Sequence, residues 1–322
     1  MSDSGFGQVY GPVLSRRLGR SLGVDLVPYK VCTYDCVYCQ IGATTNKTID
    51  RKEYIPVMSV LDELREKLGM NEKIDYITLA GSGEPTLNGA IGELIHGVKA
   101  MTDIPLAVLT NGSLLWMSDV RDALMDADIV MPSLDVGDDR LFQYVNRPYE
   151  TLSFDQVVEG IIDFSGGYKG EIWLEVLLLA GVTGISAEVR KIAKIVEKIK
   201  PTITHLNTVC RPPSEGFASP LPQDQLEALK ELFPGKVEII AEKESGDIVT
   251  INQFRNRDGD ILALLSRRPC TASEVASGLG IHATEVMKYL ENLVSTKKIR
   301  RVFSSGRYFY ALSYSKKEST EA

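Results

Sequence analysis

The sequence is poor in cysteine, and the little it has is unevenly placed. Five cysteines in 322 residues are an odd number and too few for a disulfide framework. A chain of this length buries a core large enough to fold without such staples. No apolar run is long enough to span a bilayer, and the most apolar stretch, residues 172–185, is interrupted by Glu175. Residues 1–5, Met-Ser-Asp-Ser-Gly, have neither a basic n-region nor an apolar h-region. No secretory signal is therefore expected, and the protein is expected in the cytoplasm, away from membranes. Positive charge is also short, with 36 Lys and Arg against 43 Asp and Glu, a formal −7. That argues against a surface devoted as a whole to nucleic acid. Long repeats and low-complexity segments are absent too. What is left, 44% apolar and 25% charged, is an ordinary globular composition.

The charge is split along the chain. Residues 257–322 carry eleven Lys or Arg against seven Asp or Glu, a net of +4, which leaves −11 on the first 256. Such a reversal points to two modules with different partners. Residues 20–240 alternate short runs rich in Val, Ile and Leu with amphipathic helical patterns. Strands are expected at 23–27, 75–80, 106–110, 129–134, 171–179, 203–209 and 237–240, with helices at 57–68, 91–100, 154–164 and 188–199. Apolar runs without strict alternation are how strands buried on both faces of a parallel sheet read. Strand–helix repetition predicts an α/β domain, a partial or complete (β/α) barrel. In that architecture the chemistry lies in loops at the carboxyl ends of the strands. A doubly wound open sheet is the competing architecture.

Residues 242–260 are polar and break this rhythm, as a linker would. Beyond them come helical patterns at 260–266, 272–279 and 284–297, then β runs at 299–303 and 308–311 joined by Ser304-Ser305-Gly306. Thr271 and Glu274 fit a capping box at the start of the second helix. Three helices followed by a β-ribbon is the pattern of a small winged helix-turn-helix domain. The boundaries expected are a (β/α) domain at 1–245, a linker at 246–257, a winged-helix domain at 258–315 and a frayed tail at 316–322. Lys288, Lys297, Lys298, Arg300, Arg301 and Arg307 make the third helix and wing positive, with Glu285 and Glu291 opposing. Nucleic acid, a protein or peptide, or purely structural packing all stay open for this module.

Three of the five cysteines fall within eight residues, as Cys32-x3-Cys36-x2-Cys39, in a loop after the first predicted strand. Three thiolates so close together hold a metal ion or an iron–sulfur cluster. Structural zinc normally takes four ligands, and a fourth is not local here, because Cys210 and Cys270 lie far away. A cubane held by three cysteines leaves one iron open to a substrate or cofactor. Three inert buried thiols, or zinc completed by Cys210, are the blander alternatives.

This spacing after a first strand resembles the radical S-adenosylmethionine (SAM) superfamily. Further motifs agree in order. Gly81-Ser82-Gly83-Glu84-Pro85 resembles the family's Gly-Gly-Glu motif, with Ser82 in place of a glycine. The resemblance implies that these four residues, Gly81 to Glu84, bind the methionine moiety, Glu84 serving its ammonium group. Tyr38 matches an aromatic that contacts adenine. Asn111, at the end of the third strand, and Ser133 and Asp135, at the end of the fourth, match positions near the nucleoside. The likeness covers about residues 7–240. Tyr10 to Asp25, Asn146-Arg147-Pro148 and Leu206 to Pro213 narrow it to a group of Fe–S oxidoreductases described as related to wyosine-synthesis enzymes. Those synthases carry further cysteines upstream, and residues 1–31 have none.

The resemblance implies a [4Fe–4S] cluster on Cys32, Cys36 and Cys39, with SAM as its partner. Reductive cleavage of SAM then yields methionine and a 5′-deoxyadenosyl radical that abstracts hydrogen from an unidentified substrate. A flavodoxin- or ferredoxin-like protein would supply the electron. A redox- or SAM-sensing regulator acting through a DNA-binding winged helix is the alternative from another class. Candidate substrate-side residues are Glu175, Arg147, Asn207 and Arg211, and the triplet Arg16, Arg17 and Arg20 before the first strand could hold a phosphate or carboxylate. Glu175 lies in an apolar strand, so it must be paired or face a polar interior. His96, His205, Cys210 and Cys270 read as structural.

Overall fold

The Val-, Ile- and Leu-rich runs become strands of one sheet. The structure is a computed structural model that describes residues 7–70, 72–240 and 257–313. It divides into two compact units, Met1–Lys243 and Glu244–Ala322. The linker expected at 246–257 lies, but for Arg257, outside the described residues, as does the tail at 316–322.

The first unit opens with the hairpin β1 (Val9–Ser15) and β2 (Gly19–Val24), followed by the two-residue strands β3 (Val31–Cys32) and β4 (Asn46–Lys47). Then α1 (Val57–Leu68), β5 (Tyr76–Leu79), α2 (Ile91–Met101), β6 (Leu106–Thr110), α3 (Ser118–Leu124) and β7 (Ile129–Pro132) alternate. After them come α4 (Asp139–Leu141), α5 (Phe154–Gly167), β8 (Glu171–Leu178), α6 (Ser186–Ile199), β9 (Ile203–Thr208), α7 (Gln223–Lys230) and β10 (Val237–Ile239). The sheet order is β1-β2-β5-β6-β7-β8-β9-β10. β1 pairs antiparallel with β2, and each later neighbour pairs in parallel. The parallel strands follow in chain order without a reversal. A doubly wound sheet requires that reversal, so the competing architecture is excluded.

Side chains alternate across the sheet. Leu22, Val24, Ile77, Leu79, Val108, Leu174 and Val176 are wholly buried against the helices. Each contributes about 1.5–3 kcal/mol of burial. The opposite face holds a smaller cluster of Leu18, Ala107, Ile129 and Met131, flanked by Tyr76, Leu109 and Trp173. Further along that face, toward the carboxyl ends, it turns polar.

Two expectations need correction. The first strand of the parallel series is 19–24, not 23–27, and β1 precedes it. Arg16 and Arg17 therefore sit in a hairpin turn, while Arg20 is within β2 and donates from Nε to the Lys73 carbonyl at 2.8 Å. Helices α3 and α7 were not foreseen either.

The second unit comprises α8 (Arg257–Leu265), α9 (Ala272–Leu279), α10 (Ala283–Ser295), β11 (Ile299–Ser304) and β12 (Arg307–Leu312). The capping box forms. Thr271 Oγ1 accepts from Glu274 N at 3.2 Å, and Glu274 Oε2 accepts from Thr271 N at 2.9 Å. Gly280, at φ 60°, ends α9 in the left-handed conformation. Ser305 and Gly306, at φ 47° and 78°, make the two-residue turn that the twist of a hairpin favours. Among the described residues no helix is long and apolar enough to cross a membrane.

Candidate functional site

The cysteine loop leaves the carboxyl end of β2 and is fastened by backbone to the carboxyl end of β5. Lys30 N donates to the Ser82 carbonyl at 2.7 Å, and Glu84 N donates to the Val31 carbonyl at 3.1 Å. The fit explains the glycines. A Cβ on Gly83 would stand 1.9 Å from the Val31 oxygen, and one on Gly81 would stand 1.6 Å from Asp25 Oδ1. Gly81 also has φ 122°, where residues with a Cβ are strained. At both glycines the close approach seen is of the chain to itself. Ser82 is buried, its N and Oγ donating to Asp25 Oδ1 at 2.9 and 3.2 Å.

Each sulfur of the loop faces a nitrogen donor from a different part of the chain. Asn111 Nδ2 lies 3.6 Å from Cys32 Sγ, Asn146 Nδ2 3.7 Å from Cys36 Sγ, and Lys30 Nζ 3.3 Å from Cys39 Sγ. A π-turn at Phe142–Asn146 brings Asn146 there. That turn is laced to the loop by Asp35 N to the Asn146 carbonyl at 3.0 Å and Val37 N to the Val145 carbonyl at 2.9 Å. Burial, with help from Glu84, pushes the Cys32 thiol up to about 12. Burial and then the neighbouring Cys39 and Cys32 hold Cys36 well above the ordinary thiol range. A metal bound there would have to displace protons from these thiols. Among the described residues no group of three His, Cys, Asp or Glu converges as ligands of a single metal ion do. A polynuclear cluster needs no such convergence, since each cysteine takes a different iron. Three thiols in one loop, each with an N–H aimed at its sulfur, fit an iron–sulfur cluster.

The other strand ends close around the loop. Glu84 is 2% exposed. Its Oε1 accepts from Thr86 N at 3.1 Å, Thr86 Oγ1 at 2.6 Å and Thr110 Oγ1 at 2.6 Å, and its Oε2 from Asn111 N at 2.8 Å. The resemblance gave this carboxylate to an ammonium group, but here both oxygens are engaged in tying β5 to β6. Burial raises its pKa and those four hydrogen bonds oppose the rise. Asn111 Nδ2 also donates to Thr33 Oγ1 at 2.7 Å. Tyr38 Oη donates to Asp135 Oδ2, which also accepts from Asn146 Nδ2 at 3.1 Å, while Asp135 Oδ1 accepts from Leu177 N at 2.9 Å. Ser133 bridges to Glu175 through backbone.

Burial lifts Asp135 from 3.8 to about 6 despite these partners. The folded chain then holds a proton there that the unfolded chain has released between about pH 4 and pH 6. Stability from this group is present below about pH 4 and is lost as pH rises through 6, by about 3 kcal/mol. The expected result is that urea denaturation of the iron-free protein shows this loss relative to Asp135→Asn, which stays neutral. Parallel pH profiles for the two proteins would refute it.

Glu175 faces the polar stretch of the inner face. Its carboxylate pairs with Arg17 and accepts from Asn207 Nδ2 at 3.3 Å. Burial alone would raise its pKa, but Arg17, Asn207 and Arg16 outweigh that and hold it below the usual range. So Arg17, Glu175 and Asn207 form one group, a pairing of the arginine turn with the strand residues that the sequence did not show. His205, beside Glu175 in the register of β8 and β9, is packed edge-on to Trp173. Arg147 stands apart from them, next to the cysteine loop. Its backbone is left-handed, φ 47°, and Nη1 lies 2.6 Å from Glu215 Oε1 and 3.9 Å from Asp35 Oδ2. Arg211 is buried with Nη1 3.2 Å from Gln40 Oε1 and 3.7 Å from Cys210 Sγ. Sequence reasoning missed Lys30, Thr33, Thr86, Thr110 and Asn146 as site residues. Asn146 alone carried a signal, since it stands beside Arg147 in the Asn-Arg-Pro run.

The radical SAM superfamily profile matches residues 26–193, which include all three thiols and the ends of β5, β6 and β7. The chain belongs to the radical SAM superfamily. A UPF0026 protein of Methanocaldococcus jannaschii is 34% identical over 308 residues, 94% of each chain. A protein of Brachyspira hyodysenteriae named GTPase Obg is 39% identical over 307 residues. This radical SAM chain spans 95% of its own length in that match and 45% of the relative's. The profile of FaeA-like proteins matches residues 257–305 of the second unit. Among solved structures, Streptococcus suis SuiB bound to its precursor peptide SuiA has a TM-score of 0.51 at 13% identity, over 65% of this chain and 44% of SuiB. That likeness is one of fold.

Proposed function

We propose that the chain is a radical SAM enzyme in which Cys32, Cys36 and Cys39 hold a [4Fe–4S] cluster and SAM is cleaved reductively beside it. The observation that carries this reading is the set of three sulfurs, each faced by an N–H donor, at the carboxyl ends of a parallel sheet. When bound, the cluster supplies the electron that splits SAM into methionine and a 5′-deoxyadenosyl radical able to take hydrogen from a substrate. The backbone of Gly81–Glu84 holds the methionine moiety, with Glu84 fixing its shape. Asn111, Ser133 and the Tyr38–Asp135 pair border the nucleoside. Arg17, Glu175 and Asn207 give the inner face a polar patch for substrate, and Arg147 and Arg211 hold the loops around it. A flavodoxin- or ferredoxin-like protein in the cytoplasm is the electron donor.

The second unit is a winged helix, in keeping with three helices, a hairpin and net positive charge. It recruits nucleic acid or a peptide through α10 and the hairpin.

Anaerobic reconstitution with iron and sulfide, followed by dithionite and SAM, tests the enzyme reading. 5′-Deoxyadenosine is the expected product. A loaded, reduced protein that leaves SAM intact overturns the reading.

A further inference from the structure

Lys30 is held in two unfavourable states at once. Its backbone is left-handed, φ 63°, a conformation that strains a residue with a Cβ and costs a glycine little. The residue as a whole is 2% exposed. A buried ammonium needs a counter-charge to offset its lost hydration. Among the described residues no carboxylate pairs with Lys30, and its side-chain partner is Cys39 Sγ at 3.3 Å. A protonated thiol is a weak acceptor, whereas a metal-bound thiolate carries the missing negative charge. The backbone holds the side chain in place. Lys30 N donates to Ser82, and its carbonyl accepts from Thr45 N and Asn46 N, both at 3.2 Å. The left-handed turn thus stands between the two anchors of the loop, with its side chain reaching the last cysteine.

We propose that Lys30 is a positioning residue for the cluster, donating a hydrogen bond to Cys39 Sγ and raising the cluster's reduction potential. This rests on the cluster reading above. Reduction adds one electron, and a fixed ammonium beside a ligating sulfur favours the more negative, reduced form. Lys30 acts through Cys39 and so touches no reacting atom.

The test is a redox titration of the full chain, reconstituted anaerobically and reduced with dithionite, with the reduced cluster followed by EPR. Three variants are compared with the natural chain. Lys30→Met removes the charge and keeps the bulk. Lys30→Gly removes the charge and suits the left-handed backbone, so it folds even where Met does not. Lys30→Arg keeps the charge. The expected result is unchanged iron content in all three. At a fixed potential the ratio of reduced to oxidised cluster falls about tenfold for Met and Gly, a shift of about 59 mV to the negative for one electron. Arg restores most of it. A natural midpoint in both charge-free variants overturns the proposal. So does loss of iron in all three, which would make Lys30 a structural part of the loop. Failure of the natural chain to take up a cluster would strike the cluster reading itself.

Discussion

Replacing Cys32, Cys36 or Cys39 with alanine abolishes cluster assembly, one substitution at a time, while Cys210→Ala and Cys270→Ala retain full iron. This is the largest effect expected, because each thiol is a whole ligand and the loop offers no substitute. Cys210 lies after β9 against its neighbour Arg211, with Nη1 3.7 Å from its sulfur. Cys270 is wholly buried in the second unit, its Sγ 3.6 Å from the Arg268 carbonyl. Iron per chain and the visible absorption of the reconstituted variants are the measurements. Iron loss in the Cys210 variant would mean four protein ligands, with no iron open to SAM, and would sink the mechanism.

Glu84→Ala is expected to lower the melting temperature by on the order of 10 °C, as well as weakening SAM binding. The carboxylate accepts four hydrogen bonds, two of them from the backbone N–H groups of buried Thr86 and half-buried Asn111. Each buried donor left unpaired costs about 1–3 kcal/mol. In a domain of this size one kcal/mol is about 2–4 °C. Glu84→Gln falls between, since its amide N–H₂ must face a donor. Thermal denaturation of the iron-free protein separates this role from direct ligand contact. A variant that melts normally yet binds SAM poorly would return Glu84 to the ammonium group.

The later parallel strands were legible because they are short runs rich in Val, Ile and Leu, and 106–110 and the helix at 57–68 fall as expected. β1 was not, because Tyr10-Gly11-Pro12 interrupts it and only Val9 is buried, as suits an edge strand. The cysteines announced themselves by spacing. Asn111 was named through the resemblance, at a strand end, but its partners, Thr33 and Cys32, stand 78 and 79 residues away. The structural partners of Glu84 were hidden for a related reason. A Gly-Glu-Pro run shows a carboxylate, but not the threonines from β6 and the next turn that claim it. Lys30 carries no pattern at all, and only its burial gives it meaning.

The fastening of the cysteine loop has a consequence for order of assembly. Its anchors are main-chain atoms of Lys30, Val31, Ser82 and Glu84, and Gly83 admits the Val31 carbonyl. None of these contacts uses a thiol. The loop's outline is thus drawn by contacts that need no metal, and a cluster held by its thiols would enter a path already fixed. Zinc-finger loops do the reverse, gaining their shape only from the ion. On the proposed cluster reading, the iron-free chain is expected to keep this loop's fold, with the same far-UV circular dichroism before and after loading.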